Sequence, residues 1–522
     1  MSQQLLLPLN HSYSRQIERS VISRDKLFHS SIKPFLQSEV ENVSEFSEIW
    51  DFDIPAKDTT QTWSKRLWYN IKYRDIFPFS KGKYYVAINP LIDFGLGRDN
   101  FSNTTYHGTR GIQLKANLGK KVSIESKFYE NNTLFPDYQS RLVARDTVVP
   151  GQGYPRGTPG SGLDYAFSEA YISYSPVKEF NLVFGHGKNF IGDGYRSMLL
   201  SDHAFHYPFL KLSMNVWKVK YTVIYNQMLH PNFIPVVRQL QVHPKKFSTI
   251  HYLSWDIKKR FQIGIFEAIV WDNGDSTTTR GYELAYLNPI LFLRPEEFSL
   301  RSPDNAALGL NLNFKITDRI LAYGQVMIDD LSINKTAELG RGFVGNKVGG
   351  QLGAKFYDLF GIERLFLQAE YNVARPFTYG HKKVSQNFSH YNHPLTHPLG
   401  ANFHEIVGIA SYNKKRFYLN YKLTYAIYGE DVNGEHNGSN IFISDFAIPG
   451  YPNIAGQHVG QGLKTDLVNM DLSLQYIINP VINLRFEVAY SLNVRNNDIQ
   501  TYTSHWFTLN LATRLDNFYF DF

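Results

Sequence analysis

From Lys83 to the last residue, apolar and polar side chains alternate with a period of two. Leu308, Leu310, Leu312, Phe314 and Ile316 alternate with Gly309, Asn311, Asn313 and Lys315. Leu365, Leu367, Ala369, Tyr371 and Val373 alternate with Phe366, Gln368, Glu370 and Asn372. The pattern recurs from Phe417 to Ile427 around Tyr418, Asn420, Lys422 and Thr424, and from Leu484 to Arg495 around Arg485, Glu487, Ser491 and Asn493. Successive side chains of a strand point to opposite faces, so each window predicts a strand with one apolar and one polar face.

The polar face sets the class. The windows run about ten residues, whereas strands of soluble sandwiches are usually nearer five or six. Strands of roughly 9 to 11 residues, apolar outside and polar inside, are what a tilted transmembrane strand requires. No apolar run approaches the roughly 18 to 20 residues of a membrane-spanning helix; Tyr286–Leu293 contains Asn288 and Pro289. Only helices and closed barrels satisfy every backbone group in lipid. The expected fold is therefore an all-β transmembrane barrel over residues 76–522, with roughly 16 to 18 antiparallel strands and an even count. Its first strands are expected near Lys83–Gly95, Arg110–Leu118, Val122–Glu130, Ala166–Ser175, Phe180–His186 and Val219–Gln227. Tyr and Phe at strand ends would form the interfacial girdles.

Residues 1–75 break the period. Ile17, Val21, Ile22, Leu27 and Phe28 have a loose helical spacing interrupted by Pro34, which predicts short helices in a periplasmic or barrel-capping segment. The Gly/Pro/Asn-rich stretches 144–164, 375–402 and 429–464 read as long loops, and "NLGKKV" as a short turn. Long loops at one rim and short turns at the other are the usual asymmetry of an outer-membrane barrel. Phe518, Phe520 and Phe522 alternate at the end of the sequence. A terminal aromatic on a final amphipathic strand resembles the assembly signal of bacterial outer-membrane barrels. Leu5–Leu7 is too short for the core of a signal peptide, so the sequence is expected to start at a mature terminus.

Composition narrows the chemistry. Among 522 residues there is no cysteine, which removes disulfides, thiol catalysis and cysteine-ligated metal centres. Aromatic residues make up 15%. The net charge of +7 comes from scattered basic residues, with no nucleic-acid fold signature. A positive rim facing lipopolysaccharide phosphates, or an acidic polysaccharide, accounts for it.

Residues 184–212 hold Gly185, Gly187, Gly192 and Gly194. No strand-to-helix step with a following Lys-Ser/Thr accompanies them, so they read as turns and bulges rather than a phosphate cradle. Ser201 with His203 or His206 lacks an oxyanion-hole signature. Charge concentrates at Asp193, Arg196 and Asp202; at Arg294, Glu296 and Glu297; at Asp329 and Asp330; and at Glu370. On a barrel these residues would face the lumen or a rim, either as a paired network or as sugar ligands. Adjacent strand residues such as Glu296 and Glu297 point apart, which makes them a poor glycosidase pair. His381, His390, His393, His397 and His404 share one stretch and read as exposed loop histidines rather than a metal site. Tyr391, Tyr451 and the Asn/Gly run at 433–440 are the loop candidates for a ligand. No catalytic residue, cofactor or metal is expected.

The segments "GKNFIGDGYRSMLLSD" (187–202), "YLNPILFLRPEEFSL" (286–300), "AYGQVMIDDL" (322–331), "LFLQAEYNVARPFTYGH" (365–381) and "HPLGAN" (397–402) resemble the capsule-assembly Wzi-like family of outer-membrane barrels. They are most similar to its RemB-like branch in gliding bacteria. The resemblance implies a many-stranded barrel with N-terminal helical decoration. It also implies a non-enzymatic role in binding, anchoring or organising surface polysaccharide. Two alternatives stand beside that role: a scaffold for outer-membrane or periplasmic protein partners in gliding or secretion, and a solute channel.

Overall fold

In a computed structural model the chain forms a closed antiparallel barrel of 18 strands. The structure describes residues 4–522 except 24, 44–54, 56–61, 102, 231–235, 238–239, 242–243, 275–278, 290–292, 294, 296–303, 331–341, 433 and 453. The wall begins with β1 (Tyr84–Asp99), β2 (Thr104–Leu118), β3 (Val122–Leu134), β4 (Leu163–Val177) and β5 (Phe180–Gly187). It continues through β6 (Tyr207–Val216), β7 (Val219–Leu229), β8 (Lys245–Lys258), β9 (Phe261–Asp272) and β10 (Asn305–Lys315). Next come β11 (Ile320–Asp330), β12 (Lys347–Tyr357), β13 (Leu365–Ala374) and β14 (Phe403–Lys414). The last four are β15 (Phe417–Glu430), β16 (Leu463–Asn479), β17 (Leu484–Asn496) and β18 (Thr501–Thr513). Every strand pairs with its neighbour in sequence, and β18 closes on β1 with Leu509 opposite Leu96.

The alternation becomes an inside-out protein. Leu352 on the outer face is 67% exposed, while Asn372 on the inner face is fully buried. Phe94, Phe184, Leu474 and Phe507 extend the outer belt, and Asn89, Thr222, Asn311 and Asn493 lie inside. An apolar exterior around a closed ladder leaves no unpaired edge in lipid. The chain is an outer-membrane barrel. Strand windows at the short turns match the sequence expectation, whereas the far ends run longer, as at Asp99 and Leu134. The ladder outlasts the apolar belt there because backbone pairing continues past the membrane. One strand falls within the turn-rich stretch: Tyr207–Val216 is β6, with Phe209, Lys211 and Ser213 turned inward.

Connections are short at one end, for instance between β4 and β5 or β8 and β9, and mostly long at the other. The short end is periplasmic by the usual asymmetry. Among the described residues, the following stretches of chain occupy the lumen. Residues 4–41, including α1 (His11–Val21) and α2 (Gln37–Glu41), meet inward side chains near the short turns. Gln4 N–H donates to Ser123 Oγ (3.1 Å), Leu6 N–H to Tyr171 Oη (2.9 Å), and Lys220 pairs with Glu39 (2.6 Å). Residues 188–206 form the middle, held by antiparallel pairing of Ile32–Lys33 with Phe190–Ile191. Residues 375–402 cover the long-loop end.

The fourth stretch corrects the expectation of a terminal aromatic strand. β18 ends at Thr513, and residues 514–522 carry no strand. They turn into the lumen and rise along it: Asp516 pairs with Lys127 (2.9 Å), Tyr519 donates to Asp202 (2.7 Å), and Arg495 donates to the Phe522 carbonyl (2.6 Å). Phe522 is buried against His203, not set in the membrane girdle. The intervening Asn517, Tyr519 and Asp521 find polar partners inside the barrel, which no position on a lipid-facing strand would supply.

Candidate functional site

Two polar regions are built on this frame. The first is a network across the lumen. Gly194 lies so close to β13 that Tyr195 and Arg196 N–H groups donate to the Glu370 carboxylate at 2.7 and 3.0 Å. Tyr323 Oη and Asn372 Nδ2 complete its shell at 2.7 and 2.9 Å. The Arg196 side chain, 1% exposed, pairs with Glu405 (2.9 Å) and Asp521 (3.1 Å). Asp521 is also bound by Lys422 (2.7 Å) and Tyr195 Oη (2.9 Å), and Glu405 by His397 (2.6 Å). Buried charges at this density persist only because each has a partner.

Of the charged residues singled out in the sequence, Asp193, Arg196, Asp202 and Glu370 come together in the lumen. Asp193 accepts from Ser30 Oγ (2.6 Å) and Asn311 Nδ2 (3.1 Å), and Asp202 from Tyr519 Oη and from Asn517 Nδ2 (2.8 Å). Asp329 is buried at the top of β11 and accepts the Tyr379 N–H (2.9 Å), while Asp330 is exposed beside it. Arg294, Glu296 and Glu297 lie outside the described residues. Sequence reasoning missed Glu405, Asp521 and Glu18. Lys422 was legible, since it stands on the polar side of an alternating window.

The expectation of exposed loop histidines is overturned at three of the five positions. His390, His393 and His397 are buried, because the stretch 375–402 folds into the barrel instead of leaving it. His390 accepts the Leu229 N–H at 3.0 Å, and His404 faces outward on β14 with Tyr371 Oη at 2.6 Å.

The second region is a vestibule of about 410 Å³ at the long-loop end, above the buried tail. Its floor is Arg145 and Asp146, at the end of α4 (Asp137–Asp146), together with Arg495 and His393. Arg145 meets Asp146 with two bonds of 2.6 and 2.9 Å, and its guanidinium stands 5.6 Å from the Phe522 ring centre. Tyr428, Glu430, Asp431, Asn440 and Phe442 form the walls. Burial alone would raise the Asp146 carboxyl, but Arg145 and His393 hold it well below the ordinary range. Asp431 is also lowered, because bonds from His436 and from two backbone N–H groups outweigh its burial. Both carboxylates are charged at neutral pH. Carboxylates, guanidinia and aromatic rings around one hollow suit a hydroxylated ligand: the charged groups bind vicinal hydroxyls, and the rings cover apolar sugar faces.

No family known from sequence matches the chain, and no curated protein does. Solved structures do. Wzi, an outer-membrane protein involved in group 1 capsule assembly in Escherichia coli and described as a carbohydrate-binding β-barrel, matches with a TM-score of 0.56 at 12% identity. The match covers 97% of this chain and 99% of that one, so the two share a fold. OprD of Pseudomonas aeruginosa has a TM-score of 0.43 at 9% identity, over 82% of this chain and 94% of its own. OccAB2 of Acinetobacter baumannii has 0.43 at 10%, over 82% and 97%.

Proposed function

We propose that the protein holds surface polysaccharide, capsular or exopolysaccharide, at the vestibule and performs no chemistry on it. The observation that carries this reading is the placement of the vestibule. A polar hollow with exposed Arg145, mixed charge and aromatic walls stands at the extracellular end, directly over a lumen crossed by the protein's own chain. The carbohydrate binding described for Wzi supports the same reading by analogy of fold. On this reading Asp193, Arg196, Asp202, Asp329 and Glu370 brace the platform, while Arg145, Asp146, Glu430, Asp431 and Arg495 meet the sugar. The stretches of chain that cross the lumen weigh against a solute channel.

Purified protein in detergent is tested against a glycan array and in pull-downs of the organism's own surface polysaccharide. Binding is expected. Arg145→Ala with Arg495→Ala is expected to weaken it roughly 10- to 100-fold, the value of a charge-assisted hydrogen bond or two. Absence of binding by the wild type, with normal surface glycan in a deletion strain, removes the proposal.

A further inference from the structure

One helix of the N-terminal region stands outside the lumen. α3 (Trp63–Tyr73) docks under the periplasmic rim: Asn479 Nδ2 donates to the carbonyls of Asn70 (3.1 Å) and Arg74 (2.8 Å), and the Arg416 guanidinium covers the Tyr73 ring at 5.0 Å. Asn70, the one buried residue of the helix, turns its amide to the Ile76 carbonyl (3.1 Å). Another face is apolar. Trp63, Leu67 and Ile71 recur at i, i+4 and i+8 with Trp68 alongside, yet Trp63 and Trp68 are 69% and 63% exposed. Two uncovered indoles on one helix need a neighbour.

What adjoins them is the lipid belt. The short strand Phe77–Lys81, directly after α3, pairs with the base of β1, with Phe77 opposite Ile88 and Phe79 opposite Val86. Those positions alternate with the buried, inward Ala87 and Asn89, so Phe77 and Phe79 lie on the outer face, and both are exposed. Charge is equally one-sided. From Thr62 to Tyr84 the chain carries Lys65, Arg66, Lys72, Arg74, Lys81 and Lys83 against one carboxylate, Asp75. That carboxylate is already engaged inside by Tyr85 (2.6 Å), Asn89 (2.7 Å) and Lys115 (3.6 Å). A helix with Trp and Leu on one face and Lys and Arg on the others lies in a membrane interface, and polybasic segments favour anionic headgroups.

We propose that α3 lies in the periplasmic leaflet, with Trp63 and Trp68 at the acyl boundary and Lys65, Arg66 and Lys72 on anionic phospholipid headgroups. The occupant of the exposed face is lipid, continuous with the barrel belt. The placement is independent of the polysaccharide reading.

The full chain is reconstituted in vesicles of brominated phosphatidylglycerol and phosphatidylcholine, beside a Trp63→Phe/Trp68→Phe variant. With seven tryptophans present, the difference between the two emission spectra isolates the helix. The expected difference emission is blue-shifted, quenched by bromine and insensitive to aqueous iodide. Red-shifted emission that iodide quenches overturns the proposal, as does protection that develops only when periplasmic proteins are added. In a second arm, native mass spectrometry counts phosphatidylglycerol retained from mixed vesicles. Lys65→Gln/Arg66→Gln/Lys72→Gln is expected to retain less than the wild type, and equal retention overturns the anionic headgroup assignment.

Discussion

At residue scale, position 194 has to be glycine. A Cβ there would stand 2.5 Å from the Glu370 carboxylate, and without that approach neither the Tyr195 nor the Arg196 N–H reaches it. Arg196 in turn is the shared cation of Glu405 and Asp521. Removing one member of a buried ion group leaves charge uncompensated, so Arg196→Ala should destabilise the folded barrel by about 3–5 kcal/mol, read as a lower midpoint in detergent-solubilised unfolding. Replacing all three residues with neutral partners of similar volume should cost much less. Glu18 on α1 sets a pH dependence. Its burial would raise the carboxyl, but Lys355 and Lys33 bring it from the ordinary 4.5 down to about 2. A carboxyl lowered by folding stabilises the folded state fully above pH 4.5, and the contribution disappears as pH falls toward 2. Protection of the His11–Val21 amides, corrected for the intrinsic exchange rate at each pH, should be constant from neutral pH to about 5 and should fall below about 4.5. Loss of protection already near pH 6 would assign the anchoring to a histidine instead.

At element scale, the strands were legible and the segments between them were not. Lys422, Glu370, Asn311 and Asn313 could be placed on the inner face from parity alone, because a strand allows a side chain only two directions. The alternating Phe518, Phe520 and Phe522 obey the same parity without being a strand. The difference lies in the partners: β18 already closes on β1, so no ladder remains for residues 514–522 to join. Phe522→Ala should therefore insert into the outer membrane at wild-type levels, measured as heat-modifiable folded protein, while loosening the vestibule floor beneath Arg145. Loss of insertion would restore Phe522 as an assembly signal. The histidine stretch failed for a related reason. Its composition is that of a loop, and composition does not say whether a loop leaves the barrel or enters it.

At the scale of the whole molecule, the exterior and the lumen make separate demands. The outer belt requires detergent or lipid for a monodisperse chain. The lumen is crossed by residues 4–41, 188–206, 375–402 and 514–522, tied to opposite walls by Glu18–Lys355, Arg196–Glu405 and Asp516–Lys127. Planar-bilayer recordings of the wild type should show no regular conductance steps, and deletion of residues 514–522 should introduce them. Steady open-channel steps in the wild type would favour the solute-channel reading over the vestibule.

The sequence by itself determined that this chain is a barrel, where most strands run, and which side chains of each strand face lipid or lumen. Those properties follow from a local period of two and from the rule that lipid tolerates no unpaired backbone. Only the tertiary structure decided that the lumen is crossed by the chain, that the tail forms its spine, and that Arg145 and Arg495 both reach Phe522. Most of those contacts join residues hundreds of positions apart through irregular segments, whose path is set by the partners waiting inside the closed wall and by no periodicity of their own.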